Sequence, residues 1–302
     1  TTIPPSGELC ADGDGPCVVD QPVLLFDGTM VDLGTRTLVV QGEGSIDVGS
    51  GNVTIKAGDI VVTTGAAVAL KATASGQGGY LTIEARGACL SNGGPCLVDN
   101  DCPLRHCETG SGAIDLDGRV NAHGNYAGTL VIKGASDVLL KGYFHMPGTS
   151  GDADGGRLIV SSGQGSVDLT GSIDASSGND AGGGEILMSA AGDVQVRGDI
   201  DAAGGDFSGG LVALSAVVDI GVSADIDVSS KAGSGDGGTI ELLAGGQVRV
   251  GGDNAAFLQA KGSADADDFS GDGGELYVDA ADIVVESNAT LRAVGGAPDG
   301  YG

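Results

Sequence analysis

The chain of 302 residues contains no tryptophan and only five phenylalanines, five tyrosines and three histidines. Lysine and arginine together number 14, against 41 aspartates and glutamates, so the formal net charge is −27. This shortage of basic residues excludes nucleic acid as a partner, because phosphate contacts need a basic stripe. It also argues against an anionic membrane surface. The acidic excess indicates either simple solubility of an exposed surface or binding of a divalent cation.

Two further absences concern targeting. The sequence contains no signal peptide and no transmembrane run, and it begins with Thr1 instead of Met. We therefore expect a processed, mature chain without a membrane span. Six cysteines, an even number in two clusters, indicate disulfides and hence export, so we expect a secreted, extracellular protein at the cell surface.

Glycine, by contrast, is abundant, with 58 residues, and it belongs to a repeated phrase. Two small residues, usually Gly-Gly, precede an apolar strand eight times, at spacings of 28, 49, 28, 28, 26, 28 and 36 residues. A fixed period of this size is typical of a repeat architecture. Each period holds three runs that alternate apolar and polar residues, as at 158–160, 167–169 and 173–175. Because turn residues separate the runs and none has helical periodicity, we predict an all-β parallel β-helix with three strands per coil.

The same period divides the chain. The less regular residues 1–22 are expected to form an extended N-terminal arm with a disulfide loop, and residues 23–302 the β-helix. The spacing of 49 residues exceeds one coil by 21, which predicts a cysteine-rich loop stapled by disulfides at 88–110. The spacing of 36 residues predicts a smaller acidic loop at 262–272. Solenoids place their binding surfaces in such insertions.

The cysteines pair by their spacing. Cys10 and Cys17 enclose six residues and precede Val-Val-Asp, and a similar phrase runs from Cys89 to Cys96. A zinc site is the alternative, because the second cluster includes His106 and has spacings that zinc tolerates. The local disulfides that we predict are Cys10–Cys17, Cys89–Cys96 and Cys102–Cys107.

The repeat also aligns polar residues into two stacked columns. On the third strand of successive coils, Asp174, Asp201 and Asp227 form a like-charge ladder, which repels unless it is screened, protonated or bridged by a cation. We therefore predict Ca²⁺ there, or in the Gly-Asp turn at Asp152 and Asp154, although no cofactor is required. The other column stands before the second strand and comprises Asp59, Asp137, Ser166, Asp193, Asp219, Gln247 and Asp282.

The repeated phrase is clearest in residues 183–205, which read GGEILMSAAGDVQVRGDIDAAGG. This phrase resembles the Gly-rich, right-handed parallel β-helix repeats of bacterial surface and fibre proteins, and the resemblance covers residues 51–302. It implies a right-handed β-solenoid in an exported adhesin, fibre or surface-layer component. Some β-helix relatives are polysaccharide lyases and hydrolases, so the resemblance by itself leaves enzymatic activity open.

The residues give little support to an enzyme. Pectinase-like hydrolases carry an Asp pair, a His-Gly and an Arg-x-Lys, whereas here the pair 267–268 and the His-Gly 123–124 stand in the reverse order. No Arg-x-Lys follows, aromatic residues for sugar stacking are scarce, and the histidines are too scattered for a metal site. We therefore predict that the protein is not an enzyme. The glycosylation acceptor pattern is matched at Asn52 and Asn288.

The ends of a β-helix bear on its assembly. Each end is a sheet edge with unpaired N–H and C=O groups around an apolar core, and soluble solenoids cover it with a cap. The coil 274–302 has strands as apolar as the middle ones and no cap in its sequence. We therefore expect a homopolymer, in which subunits of an extracellular filament or surface layer stack head to tail.

The alternative is a monomeric adhesin or binding module that contacts surface carbohydrate, and a carbohydrate-active enzyme is the third interpretation. The polymer predicts specific contacts, in which apolar residues of the last coil meet those of the first coils. The residues expected at this joint are Leu276, Val278, Ile283, Val285 and Leu291 on one side, and Val23, Leu25, Leu38 and Val40 on the other.

Overall fold

The computed structural model describes residues 2–3, 9–10, 15–69, 78–88, 95–97, 101, 112–178, 180–252, 254–264 and 270–296. These residues contain no α-helix, and their strands stack into three long parallel sheets, here named A, B and C. From the third coil onward the chain visits the sheets in the order C, B, A, so each strand pairs with its counterparts one coil earlier and one coil later. The parallel β-helix predicted from the repeat is confirmed.

The strands are numbered in chain order. Sheet A consists of β1 (Thr2–Ile3), β3 (Pro22–Leu25), β6 (Ser45–Asp47), β9 (Ala67–Ala69), β14 (Arg119–Asn121), β17 (Tyr143–His145), β20 (Ser172–Asp174), β23 (Ile200–Asp201), β26 (Ile226–Asp227), β29 (Ala256–Lys261) and β32 (Ala289–Val294). Sheet B consists of β2 (Cys17–Val19), β5 (Leu38–Val40), β8 (Ile60–Val62), β13 (Ile114–Leu116), β16 (Val138–Leu140), β19 (Val167–Leu169), β22 (Val194–Val196), β25 (Ile220–Val222), β28 (Gln247–Val250) and β31 (Asp282–Val285). Sheet C consists of β4 (Met30–Asp32), β7 (Asn52–Ala57), β10 (Tyr80–Ala85), β15 (Thr129–Gly134), β18 (Arg157–Ser162), β21 (Glu185–Ala190), β24 (Leu211–Ala216), β27 (Thr239–Ala244) and β30 (Glu275–Asp279).

The core is a set of aliphatic columns that run along the axis of the β-helix. Strands show the alternation of buried and exposed residues expected for one face turned inward, and the register places each inward side chain on its equivalent in the next coil. Within the described part of the chain, Phe144 is the one aromatic side chain among the largest fully buried residues. One column of sheet C shows the composition of this interior and contains Ile55, Ile83, Ile132, Val160, Met188, Leu214 and Leu242.

The glycines of the repeated phrase are required by the close approach of successive coils. A Cβ atom on Gly210 would overlap the carbonyl oxygen of Gly184 one coil earlier, and one on Gly238 would overlap that of Gly210. Gly184, Gly210 and Gly238 do not have the positive φ for which glycine is usually selected, whereas Gly28 and Gly252 do. The phrase therefore marks the corner before sheet C, where the stacking distance leaves no space for a side chain.

Aspartates at another corner bind the backbone of the next coil. The column before sheet B was predicted as a row of stacked polar residues, and it forms a ladder of side-chain to main-chain hydrogen bonds. Asp193 accepts a hydrogen bond from the N–H of Asp219 at 3.1 Å, and Asp219 accepts one from the N–H of Gln247 at 2.6 Å. Asp137 does the same for Ser166 at 2.8 Å. Because each acceptor serves the equivalent residue one coil later, these carboxylates pair main-chain donors at the corners.

The N-terminal segment contributes to the sheets. Within residues 1–22, β1 pairs with β3 and β2 pairs with β5 in parallel register, with Cys17 opposite Leu38. The predicted disulfide Cys10–Cys17 is present, with a Cα–Cα distance of 5.5 Å, and Leu9 packs into the core next to it. Two strands of the expected extended arm therefore continue the β-helix at this end.

The two predicted insertions lie at corners of the β-helix and are described in part. The loop expected at 88–110 follows β10 and begins with an antiparallel pair, β11 (Gly87–Ala88) and β12 (Pro95–Cys96). Cys96 is disulfide-bonded, whereas Cys89, Cys102 and Cys107 lie outside the described residues. The loop expected at 262–272 contains an antiparallel bridge between Ala264 and Ser270. Within the described ranges, no helical segment has the length and hydropathy needed to span a membrane.

We expect Gly210→Ala to destabilise the β-helix, because the added Cβ would overlap main-chain atoms that cannot move without displacing a coil. The cost is on the order of 1–3 kcal/mol or more, as for other overpacked interiors. The midpoint of urea unfolding, followed by circular dichroism, measures it. Gly15→Ala is the matched control, since a Cβ at Gly15 meets nothing within 4 Å. Equal midpoints for the two variants would contradict the steric explanation.

We expect Asp219→Ala to lower the free energy of unfolding by about 1–3 kcal/mol, because the N–H of Gln247 loses its acceptor. Asp219→Asn retains a carbonyl oxygen at the same place, and we expect it to stay close to wild type. Asp152→Ala, at an exposed turn, controls for the loss of one negative charge. The hydrogen-bond ladder is wrong as an explanation if Asp219→Ala unfolds at the same urea concentration as Asp152→Ala.

Candidate functional site

The aspartate column on sheet A, predicted as a calcium site, has other partners. Asp201 pairs with the Nζ of Lys231 at 2.8 Å, and Asp227 accepts from the Nε2 of Gln259 at 2.7 Å. The second oxygen of each carboxylate accepts from the main-chain N–H two residues later, at 3.0 Å for Asp201 and 2.9 Å for Asp227. Asp174 makes the same turn with Ser176 at 3.2 Å. These carboxylates stabilise the corner that follows sheet A.

The Gly-Asp turn gives a similar result. Asp154 accepts a hydrogen bond at 2.9 Å from the N–H of Gly182 in the next coil, and Asp152 is exposed. Among the described residues, no three His, Cys, Asp or Glu side chains converge in a group that could hold a metal ion. Calcium binding at Asp174, Asp201, Asp227, Asp152 and Asp154 therefore stays a prediction.

The C-terminal residues of the predicted joint are exposed at the end of the β-helix. Ile283 and Val285 on β31 are 50% and 49% exposed, and Leu291 on β32 is 37% exposed. Their register partners one coil earlier, Val248 and Val250 among them, are at most 1% exposed. Leu276 and Val278 on β30 are half-buried, above Ile240 and Leu242. The last described coil therefore presents its inner side to solvent.

The N-terminal residues of the predicted joint are inside the molecule. Val23, Leu25, Leu38 and Val40 are buried, because β1 and β2 cover the strands that carry them. The prediction that these four side chains contact another copy is wrong for this structure. Among the residues described at this end, the free sheet edges belong to β1, β2 and β4, and the exposed apolar side chains are those of Val18, Phe26 and Met30.

A group of side chains on the outer face of sheet A was not predicted. Tyr143 and His145 lie on β17 with ring centroids 5.5 Å apart, and the ring of His123 lies 5.1 Å from that of His145. Asp174 Oδ2, from the next coil, is 3.1 Å from His145 Nδ1 and 3.3 Å from the Tyr143 hydroxyl. The guanidinium of Arg119 lies 5.7 Å from the centre of the Tyr143 ring. These five residues are called the tyrosine–histidine cluster below.

The cluster corrects the expectation of scattered histidines. His123 and His145 are 22 residues apart in the sequence, and the coil register brings them into contact, whereas His106 lies outside the described residues. Burial raises the pKa of the Tyr143 hydroxyl, and the neighbouring charge of Asp174 raises it further. The hydroxyl therefore stays protonated over the neutral range and donates to Asp174. The sequence signal was Tyr-x-His on one strand with Arg and Asp in register on the strands either side.

The comparisons with known proteins give no family for this chain. No known protein family matches the sequence, and no curated protein matches it either. The class of the protein is therefore defined by its fold, a parallel β-helix with at least one disulfide.

Chelation distinguishes two explanations of the aspartate column on sheet A, a calcium site and a set of carboxylates that only accept hydrogen bonds at the corner. If the carboxylates serve only their present hydrogen-bond partners, EDTA will leave the Tm of the purified protein unchanged. A bound ion stabilises the folded state by mass action, so its removal would lower Tm. A Tm that falls with EDTA and recovers with added Ca²⁺, but not with Mg²⁺, would establish the calcium site instead.

Proposed function

We propose that the protein is a structural subunit of an extracellular filament or surface layer, whose subunits join head to tail through the ends of their β-helices. The observation that carries the proposal is the exposed inner side of the last described coil, where Ile283 and Val285 are half-exposed above fully buried equivalents. Covering Ile283, Val285 and Leu291 would contribute on the order of 1 kcal/mol each, through the apolar area removed from water.

The open sheet edges support a partner of the same geometry. Strands β30, β31 and β32 stand last in sheets C, B and A, so among the described residues no strand pairs with their outer edges. A parallel β-helix coil would supply both the main-chain partners and the apolar side chains that continue the interior columns. A globular partner would satisfy one of these requirements at most.

The opposite end of the β-helix defines what the next copy offers. Among the described residues, its free edges are β1, β2 and β4, which belong to sheets A, B and C in turn. Because these sheets contain 11, 10 and 9 strands, this end of the β-helix is stepped. A parallel joint would therefore pair β32 of one copy with β1 of the following copy, and it would leave one strand position open in sheet B and two in sheet C. Such a contact uses different surfaces on the two copies, and a contact of that kind propagates into a filament.

Export is supported by the disulfides. Cys10–Cys17 closes a short loop at the N-terminal end, and Cys96 is also disulfide-bonded. Disulfides persist in oxidising compartments and are rare in the cytosol. The second candidate function, a monomeric adhesin or binding module, is favoured by the tyrosine–histidine cluster, which lies on the outer face of sheet A, away from the two ends.

We expect the purified protein to form filaments whose axial repeat is about 53 Å, the height of the eleven stacked strands of sheet A. Leu291→Lys, on β32, should abolish them, because the joint would bury an unpaired charge. Val217→Lys is the matched control, since Val217 is 69% exposed on a side of the β-helix. Sedimentation velocity over a concentration series and negative-stain electron microscopy provide the measurements. A wild-type protein that stays monomeric at high concentration would overturn the proposal, as would filaments formed equally well by Leu291→Lys.

A further inference from the structure

Three of the six exposed aromatic side chains among the described residues are tyrosines on neighbouring coils. Tyr143, on sheet A, is 38% exposed, and Tyr126, in the turn between β14 and β15, is 49% exposed. Tyr80, on β10 in sheet C, is 41% exposed. Because β14 pairs with β17 and β10 pairs with β15, the three tyrosines lie on neighbouring coils. They form a band that runs from sheet A round the corner to sheet C.

The band includes a cleft. Tyr80, Tyr126 and Asp154 line a cavity of about 390 Å³ together with main chain at Gly79 and Gly155. The cleft lies near the tyrosine–histidine cluster, because His123 stands three residues before Tyr126, and three residues of chain span at most about 11 Å. Because Gly79 and Gly155 have no side chains, main-chain groups are accessible beside the rings of Tyr80 and Tyr126. The surface therefore combines aromatic rings with carboxylates and main-chain groups.

The chemistry of the band fits a sugar. A pyranose ring has a face of C–H groups, which packs on an aromatic ring, and hydroxyls at its edge, which need acceptors and donors in a plane beside that ring. Tyr143, stacked on His145, supplies the platform, and Arg119 supplies donors that cannot lose their proton. Tyr126 and Asp154 place a second ring beside a carboxylate in the cleft.

The negative charge of the molecule favours an uncharged sugar polymer over an acidic one. Asp154 and Asp174 lie within the band, and the whole chain carries a formal net charge of −27. A polymer of uronic acids or sulfated sugars would be repelled by this field before it reached Arg119. An uncharged polymer would not be repelled. The open, elongated shape of the band favours an extended chain over a single sugar unit.

We propose that the tyrosine–histidine cluster and the cleft beside Tyr126 together form a binding site for a neutral polysaccharide. The site lies on the side of the β-helix and uses no residue of the end coils. Binding and polymerisation are therefore separate properties, and each can be present without the other. In a filament, the site would recur once per subunit along one side.

Affinity electrophoresis tests the proposal with four neutral polymers, hydroxyethyl cellulose, galactomannan, dextran and glycogen, and with polygalacturonate as the acidic polymer. We expect at least one neutral polymer to retard the protein, and polygalacturonate to have no effect. Tyr143→Ala should weaken the binding about tenfold, as does loss of a central aromatic contact in other interfaces. Tyr143→Phe keeps the ring, and we expect it to bind within about threefold of wild type.

Phe207→Ala is the matched control, because Phe207 is an aromatic residue that is 70% exposed in another part of the molecule. Circular dichroism melts of each variant show that the fold is retained. Retardation by none of the neutral polymers would overturn the proposal, and so would stronger retardation by polygalacturonate. An equal loss of binding in Phe207→Ala and Tyr143→Ala would refute the assigned location.

Discussion

Every feature of this molecule depends on the stacking of coils in strict register, one strand spacing apart. Equivalent residues of neighbouring coils lie about 4.8 Å apart and are in contact. A residue type is therefore allowed at a position only if it can pack on the equivalent residue of the next coil. Aliphatic side chains meet this condition in the interior, where Ile, Val and Leu form continuous columns. At the corner before sheet C the condition admits glycine alone, since a Cβ on Gly210 would overlap the preceding coil. The composition of the chain follows from this single distance.

The same distance explains how an acidic chain tolerates stacked aspartates. A carboxylate at a corner stands close enough to the next coil to accept the N–H of the equivalent residue, as Asp193 does from Asp219. Each aspartate thereby pairs a main-chain donor at a corner, and hydrogen bonds to a charged group are stronger than neutral ones. Repulsion between neighbouring carboxylates opposes this gain, and bases such as Lys231, which pairs with Asp201, offset it locally. Much of the negative charge is therefore part of the architecture and need not report a ligand.

The sequence was sufficient to predict the coil of the β-helix, but it was insufficient to predict the hydrogen bonds formed at the corners. The period and the alternation of apolar residues predicted the three sheets, because inward and outward positions are separated by a strong difference in polarity. The aspartate columns were located correctly, but the sequence showed only their like charge and not the main-chain N–H groups beside them. Val23 and Leu38 were expected at a free end, because the irregular residues 1–22 gave no sign that β1 and β2 would cover them. His123 and His145 were judged separate, since contact between them requires the register of β14 and β17 to be known.

The two ends of the β-helix are not equivalent, and this difference gives the molecule a direction. At the N-terminal end, Leu9 and Cys10 pack against the first coils, and the interior there is buried. At the other end, the columns stop at side chains such as Ile283 that are half in solvent. The interior columns are therefore exposed at the last described coil and covered at the N-terminal end, where Val18, Phe26 and Met30 are the exposed apolar side chains. Under the proposed head-to-tail joint, a partner at this end would supply strands in parallel register, so stacking would add coils of one chain direction. The joint would not involve the sides of the β-helix, and the outer face of sheet A would stay accessible.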